Sequence, residues 1–175
     1  MYDASTTVAP PRAADRPRRG ELLLAGGGAG LVGGVLMMLW MILAALVDDR
    51  GALSALRPIG LTFLGDSAVE GTPLVTAWGI FLHLAVAAAL GVPLAAMLAP
   101  GFPYGSGFVI GVGYAWVLMA VAAALVLPAV NPTLRDHMPA LGGAWVIACA
   151  LYGAAVGAGP ALRPRARRWL AARGG

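Results

Sequence analysis

Three stretches of the chain contain no Asp, Glu, Lys or Arg: residues 22–47, 71–134 and 137–162, which are 26, 64 and 26 residues long. An α-helix rises about 1.5 Å per residue, so roughly 20 residues cross the ~30 Å hydrocarbon core of a bilayer. The first and third runs each have the length of one crossing. The middle run holds two crossings and a turn. In lipid the backbone has to satisfy its own hydrogen bonds, which leaves the helix as the form such runs take. Ala99-Pro100-Gly101-Phe102-Pro103-Tyr104-Gly105 supplies the turn, with two prolines and two glycines in seven residues. The expected fold is all-α: a four-helix transmembrane bundle with helices near 22–47, 74–98, 106–130 and 139–160. A basic tail precedes it over 1–21, the transmembrane domain spans 22–160, and a second basic tail covers 161–175.

Composition agrees. Of 175 residues, 59% are hydrophobic and 11% charged, against roughly 25% charged in soluble domains. That excludes a soluble enzyme and a disordered chain. Cys149 is the only cysteine, which excludes an intramolecular disulfide and a CxxC metal site. The apolar run at 22–47 is too long for the core of a signal peptide, and no small-x-small cleavage site precedes Asp48. Thr72-Pro73 reads as an N-cap followed by proline in the first helical turn. Pro139 reads as opening the fourth helix in the same way, and Asn131-Pro132 as a turn. Pro93 and Pro128 fall inside helices and are expected to free the carbonyls of Ala89 and Ala124.

All twelve basic residues are arginine, and their placement gives an orientation. With four helices both tails share a side. Nine arginines and three acids there give +6, while three arginines and five acids on the other side give −2. The positive-inside rule then puts both termini in the cytoplasm, with the chain in a bacterial inner membrane. The basic tails are expected to meet anionic lipid headgroups through Arg18, Arg19, Arg165, Arg167, Arg168 and Trp169, rather than nucleic acid. Residues 161–173 are expected to form a short surface helix with Trp169 and Leu170 dipping into the headgroups. In the outer loop, 51–57 and 58–64 are apolar but too short to cross, and are read as short interfacial segments.

Every expected helix carries small residues at a spacing of four. These include Gly26, Gly30 and Gly34 in the first, Gly91 in the second, Gly107 and Gly111 in the third, and Gly153 and Gly157 in the fourth. Such stripes let helix backbones approach closely. They fit packing within one bundle, and also docking of one stripe, the long one in the first helix, onto another protein. Trp40, Trp78 and Trp145 are placed near the outer helix ends as an aromatic belt, and Trp116 deeper, packed within the protein. His83 precedes Gly91 by eight residues, as Cys149 precedes Gly157, which suggests two similar helix pairs in parallel.

The intramembrane polar residues are His83, Tyr114, Cys149 and Tyr152. His83 is the candidate for cofactor binding or a transport path. Its plain alternative is a neutral ring hydrogen-bonded to a neighbouring helix, with Tyr114, Tyr152 or Thr76 as partners. His137 lies in the outer loop, too far along to pair with His83 across a haem. Met37, Met38 and Met41 are read as packing rather than copper ligands. No Asp or Glu lies inside a helix, which speaks against a proton-coupled exporter. Nothing resembles a catalytic set, so no enzyme activity and no cofactor are expected.

Arg57-Pro58-Ile59, His83-Leu84 with Gly91, Gly111-xx-Tyr114-x-Trp116, Pro128-xx-Asn131-Pro132 and Tyr152-Gly153-xxx-Gly157 together resemble a family of uncharacterised small four-helix integral membrane proteins of bacteria and archaea. The resemblance covers 22–160 and implies the fold, with no activity attached. Many of those relatives carry a second histidine where this chain has Cys149. The functional expectation is a non-catalytic membrane subunit, self-associating or packed against other integral membrane subunits, with an energy-transducing complex as a candidate host. The alternative is a small-solute carrier or channel with His83 in the path.

Overall fold

The structure is a computed structural model that describes residues 19–54, 56–62, 64, 72–99 and 102–173. All its regular elements are helices: α1 Arg19–Val47, α2 Arg57–Gly60, α3 Pro73–Met97, α4 Tyr104–Val130, α5 Pro132–Gly157 and α6 Gly159–Arg173. Three of them, α1, α3 and α4, are long and apolar enough to cross a membrane. A fourth crossing requires the Gly142–Gly157 part of α5 to be counted with α6, to which it is bent by 44°.

Local chemistry explains the helix limits. Thr72 is extended (φ −67°, ψ 142°) and its Oγ1 accepts the amide of Val75 at 3.4 Å, capping α3, whose first residue is Pro73. The α4 helix opens into a wide π-turn over Ala122–Val126, immediately before Pro128. Proline has no N–H to give Ala124, so the regular ladder cannot continue there. A second π-turn, Leu23–Gly27, lies in α1 at the start of its glycine run.

The fourth helical element departs from the sequence expectation. It starts at Pro132 rather than near 139, and it breaks at Gly142, where φ is 45° and ψ −130°. Only glycine adopts that backbone readily, and Gly142-Gly143 supplies it.

The long helices pack side by side. Helix α1 lies against both α3 and α5, α3 also touches α5, and α4 packs along α5. The backbones of α3 and α4 scarcely approach. Glycines set the closest contacts. A methyl at Gly30 would strike the carbonyl oxygen of Ala87, and one at Gly91 the carbonyl oxygen of Gly26. On the other side of the molecule, a methyl at Gly111 would strike the carbonyl of Gly153, and one at Gly157 the carbonyl of Gly107. The contacts are the same in the same order, so α1–α3 and α4–α5 are two copies of one antiparallel helix pair. In this register Gly33 corresponds to Tyr114 and His83 to Cys149. Gly33 admits α5 against α1, with Tyr152 and Ala155 seated on it. Tyr114 stands at the matching position of α4, and its hydroxyl bridges to α3 at the Leu90 carbonyl.

At the end of the bundle away from the termini, α2 caps α3. Gly60 seats on Val75, and Gly79 on Leu56 and Gly60. Trp78 Nε1 donates to the Thr62 carbonyl at 3.2 Å. Asn131, 4% exposed at the α4–α5 turn, donates through Nδ2 to the Pro58 carbonyl at 2.8 Å and to Thr62 Oγ1.

Candidate functional site

The intramembrane polar side chains converge on one stretch of α3. His83 Nε2 lies 3.0 Å from the carbonyl of Gly34 on α1. A carbonyl oxygen only accepts, so Nε2 carries the proton and donates. Tyr152 on α5 donates 2.8 Å to the carbonyl of Ala87, and Tyr114 on α4 donates 2.7 Å to the carbonyl of Leu90. Each of the other three long helices is therefore pinned to α3 between His83 and Leu90. Cys149 is buried with a free thiol, in the core cluster with Met37, Met41, Leu94, Ala148 and Val156.

His83, Tyr114 and Tyr152 each link two helices through a backbone carbonyl. Nε2 of His83, the nitrogen that faces a neighbouring helix, is already engaged. The partner of His83 is a backbone oxygen, not Tyr114, Tyr152 or Thr76. Among the described residues no three His, Cys, Asp or Glu side chains come together. The side chain of His137 lies outside the described residues.

The glycines singled out from the sequence sit in two internal seams. Gly26, Gly30, Gly34 and Gly91 lie between α1 and α3, and Gly107, Gly111, Gly153 and Gly157 between α4 and α5. Three tryptophans mark the opposite end from the termini. Trp40 Nε1 donates 2.9 Å to the Ala144 carbonyl, Trp78 stacks on Phe81 with ring centroids 5.3 Å apart, and Trp145 lies half-buried. Trp116 was expected inside the protein. It is 48% exposed, and its Nε1 donates 3.3 Å to Val146. The reason is that α4 packs closely on α5 alone and reaches α3 only through Tyr114.

The arginine-rich end holds a charged cluster that sequence reasoning missed. Glu21, counted there as a tail charge, is 2% exposed. Arg167 grips both its oxygens, Nε to Oε1 at 3.0 Å and Nη2 to Oε2 at 3.2 Å, a two-pronged guanidinium–carboxylate pair. Arg163, one turn earlier on α6, is also 2% exposed, and its Nε and Nη2 have no acceptor among the described residues. The available signal was the i, i+4 spacing of Arg163 and Arg167 on a helix that returns beside the start of α1. Leu170 turns inward onto Gly20 instead of into lipid. Trp169, Arg165 and Arg168 face outward, as does Arg19. Arg18 lies outside the described residues. Leu24, Ala25, Leu162, Arg165, Ala166 and Trp169 line an open trough of about 310 Å³.

Comparison with protein-family models, with curated proteins and with solved structures gives no match.

Proposed function

We propose that the chain is a non-catalytic subunit of a bacterial inner membrane, with four crossings and both termini in the cytoplasm, that docks laterally onto another integral membrane protein through α4. The observation that carries this reading is the uncovered side of α4. Gly105, Val109, Gly113 and Val117 follow one another at a spacing of four. Nothing lies within 4 Å of where a methyl would stand on Gly105 or Gly113, and Val109 and Val117 are among the most exposed apolar residues of the chain. The stripe expected to dock, on α1, is occupied by α3. The open one is on α4. In lipid, an open glycine face is where a second helix comes close.

Two further facts support a scaffolding role. The hydrogen bonds of His83, Tyr114 and Tyr152 all end on backbone carbonyls of neighbouring helices. The +6 against −2 division of charge supplies the orientation. The test is extraction of the untagged protein from its native membrane in mild detergent, followed by a native gel and identification of whatever co-migrates. Stoichiometric co-migration with other membrane proteins is expected, and its loss in G113L while the protein itself stays folded. Migration of the wild type as a monomer alone overturns the reading.

A further inference from the structure

Met37 and Met41 of α1 and Cys149 of α5 are buried in one core cluster, and Met119 of α4 packs against it. The helix register gives their depths. Tyr152 seats on Gly33 and Trp40 donates to the Ala144 carbonyl, so Cys149 stands level with Met37 in the antiparallel α1–α5 pair. Gly111 meets Gly153 and Trp116 donates to Val146, which sets Met119 about one turn further out, level with Met41. The four side chains therefore spring from within about 8 Å of depth. Their directions converge as well. A helical Cα–Cβ bond tilts toward the N-terminus of its helix. In α1 and α4 this turns Met41 and Met119 back toward the level of Cys149, and in α5 it turns Cys149 out toward them.

The rest of the core at this depth is small. Among the described residues, the other buried members of the cluster there are Ala115 and Ala148, while Leu94, Leu98 and Val156 fill the half nearer the termini. Methionine on its own is a gap filler. A thiolate with two thioethers is the soft donor set that selects Cu(I). Charge points to the same ion. The runs 22–47, 71–134 and 137–162 hold no Asp or Glu, so Cys149 is the group placed to give a cation there its one negative charge. A monovalent ion on one thiolate is neutral. A divalent ion would leave a net charge in hydrocarbon, which is costly. Met37 and Met41 share a face of α1, but the donor that completes the set arrives only when α5 folds against it.

We propose that Cys149, Met37 and Met41 bind one Cu(I) ion inside the bundle, with Met119 beside the site. On binding, a copper–sulfur bond forms at Cys149 as its S–H proton leaves to solvent. The two thioethers donate lone pairs, and copper stays Cu(I). The docking of α4 plays no part in this, and purified chain suffices for the test. The full-length protein in neutral detergent, kept free of oxygen, is titrated with Cu(I) in competition with the chromophoric chelator bicinchoninate. The wild type is expected to withdraw one Cu(I) per chain and to gain the ultraviolet absorption of a copper-bound thiolate. C149A should lose both. M37L and M41L should each weaken binding by about tenfold or more, and M38L, outside the cluster, should bind as the wild type does. M37L and M41L nearly conserve volume, so they keep the test alive where C149A fails to fold. No withdrawal of Cu(I) by the wild type, or unchanged binding in C149A or in the M37L/M41L double variant, overturns the proposal. Equally tight binding of Zn(II) overturns it too, by removing the preference for a soft monovalent ion.

Discussion

The ring of Tyr152 lies on the bare Cα of Gly33, and its hydroxyl reaches past α1 to the carbonyl of Ala87 on α3 at 2.8 Å. One side chain thereby holds α1, α3 and α5 at a single level. A methyl at Gly33 would come 2.9 Å from the ring and 3.2 Å from Ala155. G33L should lower stability by about 1–3 kcal/mol, as overpacking of a closed seam does. Y152F should cost less, near the ~0.6 kcal/mol average of a hydrogen bond between membrane helices. Denaturant unfolding in micelles checks both. A G33L protein as stable as the wild type would show that α5 is not seated there.

The repeated helix pair makes a paired prediction. Gly30 and Gly111 occupy equivalent positions, each under a carbonyl of the partner helix. G30A and G111A should destabilise by similar amounts, about 1–3 kcal/mol. G113A, where no atom lies within 4 Å, should be close to neutral in the isolated protein. Thermal unfolding of the three variants side by side decides it. A neutral G111A beside a damaging G30A would mean that the second pair is packed differently from the first.

Much of the fold was legible in the sequence because charge exclusion from hydrocarbon acts along the chain, residue by residue. Glu21, Asp48, Arg135 and Asp136 bound the apolar runs, and Thr72-Pro73 gave a helix start to the residue. What was not legible depends on which helix neighbours which. The charge pattern is indifferent to whether α3 touches α4, so the exposure of Trp116 and the open face of α4 were out of reach. The break at Gly142 was hidden because Gly-Gly inside an apolar run reads equally as close packing. Glu21 looked like a solvated tail charge until α6 folded back over it. Asn131 looked like a turn residue, and only the return of the outer segment gives its amide two oxygens to hold.

His83 is predicted to be structural. Its Nε2–H contact with Gly34 is one bond between α1 and α3, so H83L should cost about 0.6–1.7 kcal/mol in unfolding measurements. Haem added to the purified wild type should give no Soret shift. A shifted Soret band that disappears in H83L would reverse this assignment and make the ring a ligand.

Asn131 is predicted to lock the outer segment. N131A removes a buried amide and strands the oxygens of Pro58 and Thr62. The cost should be about 1–3 kcal/mol, concentrated locally. Hydrogen exchange of the amides at 56–62 should speed up while those in the middle of α3 hold. Uniform acceleration through the whole chain would show that α2 unfolds only with the bundle.

The last prediction concerns an asymmetry between Glu21 and Arg167. Removing Glu21 leaves Arg163 and Arg167 facing each other with no carboxylate, and one of them buried. The Arg167 side chain is 54% exposed and can turn to water, so the cost falls mainly on buried Arg163, about 1–3 kcal/mol. Removing Arg167 leaves Glu21 with Arg163 still beside it, one turn back on the same helix, carrying two unused donors. E21Q should therefore be clearly more damaging than R167Q, although both delete the same ion pair. Unfolding free energies of the two variants and of the double variant form a complete cycle. If R167Q proves as costly as E21Q, Arg163 cannot replace Arg167, and its charge is balanced by something other than Glu21.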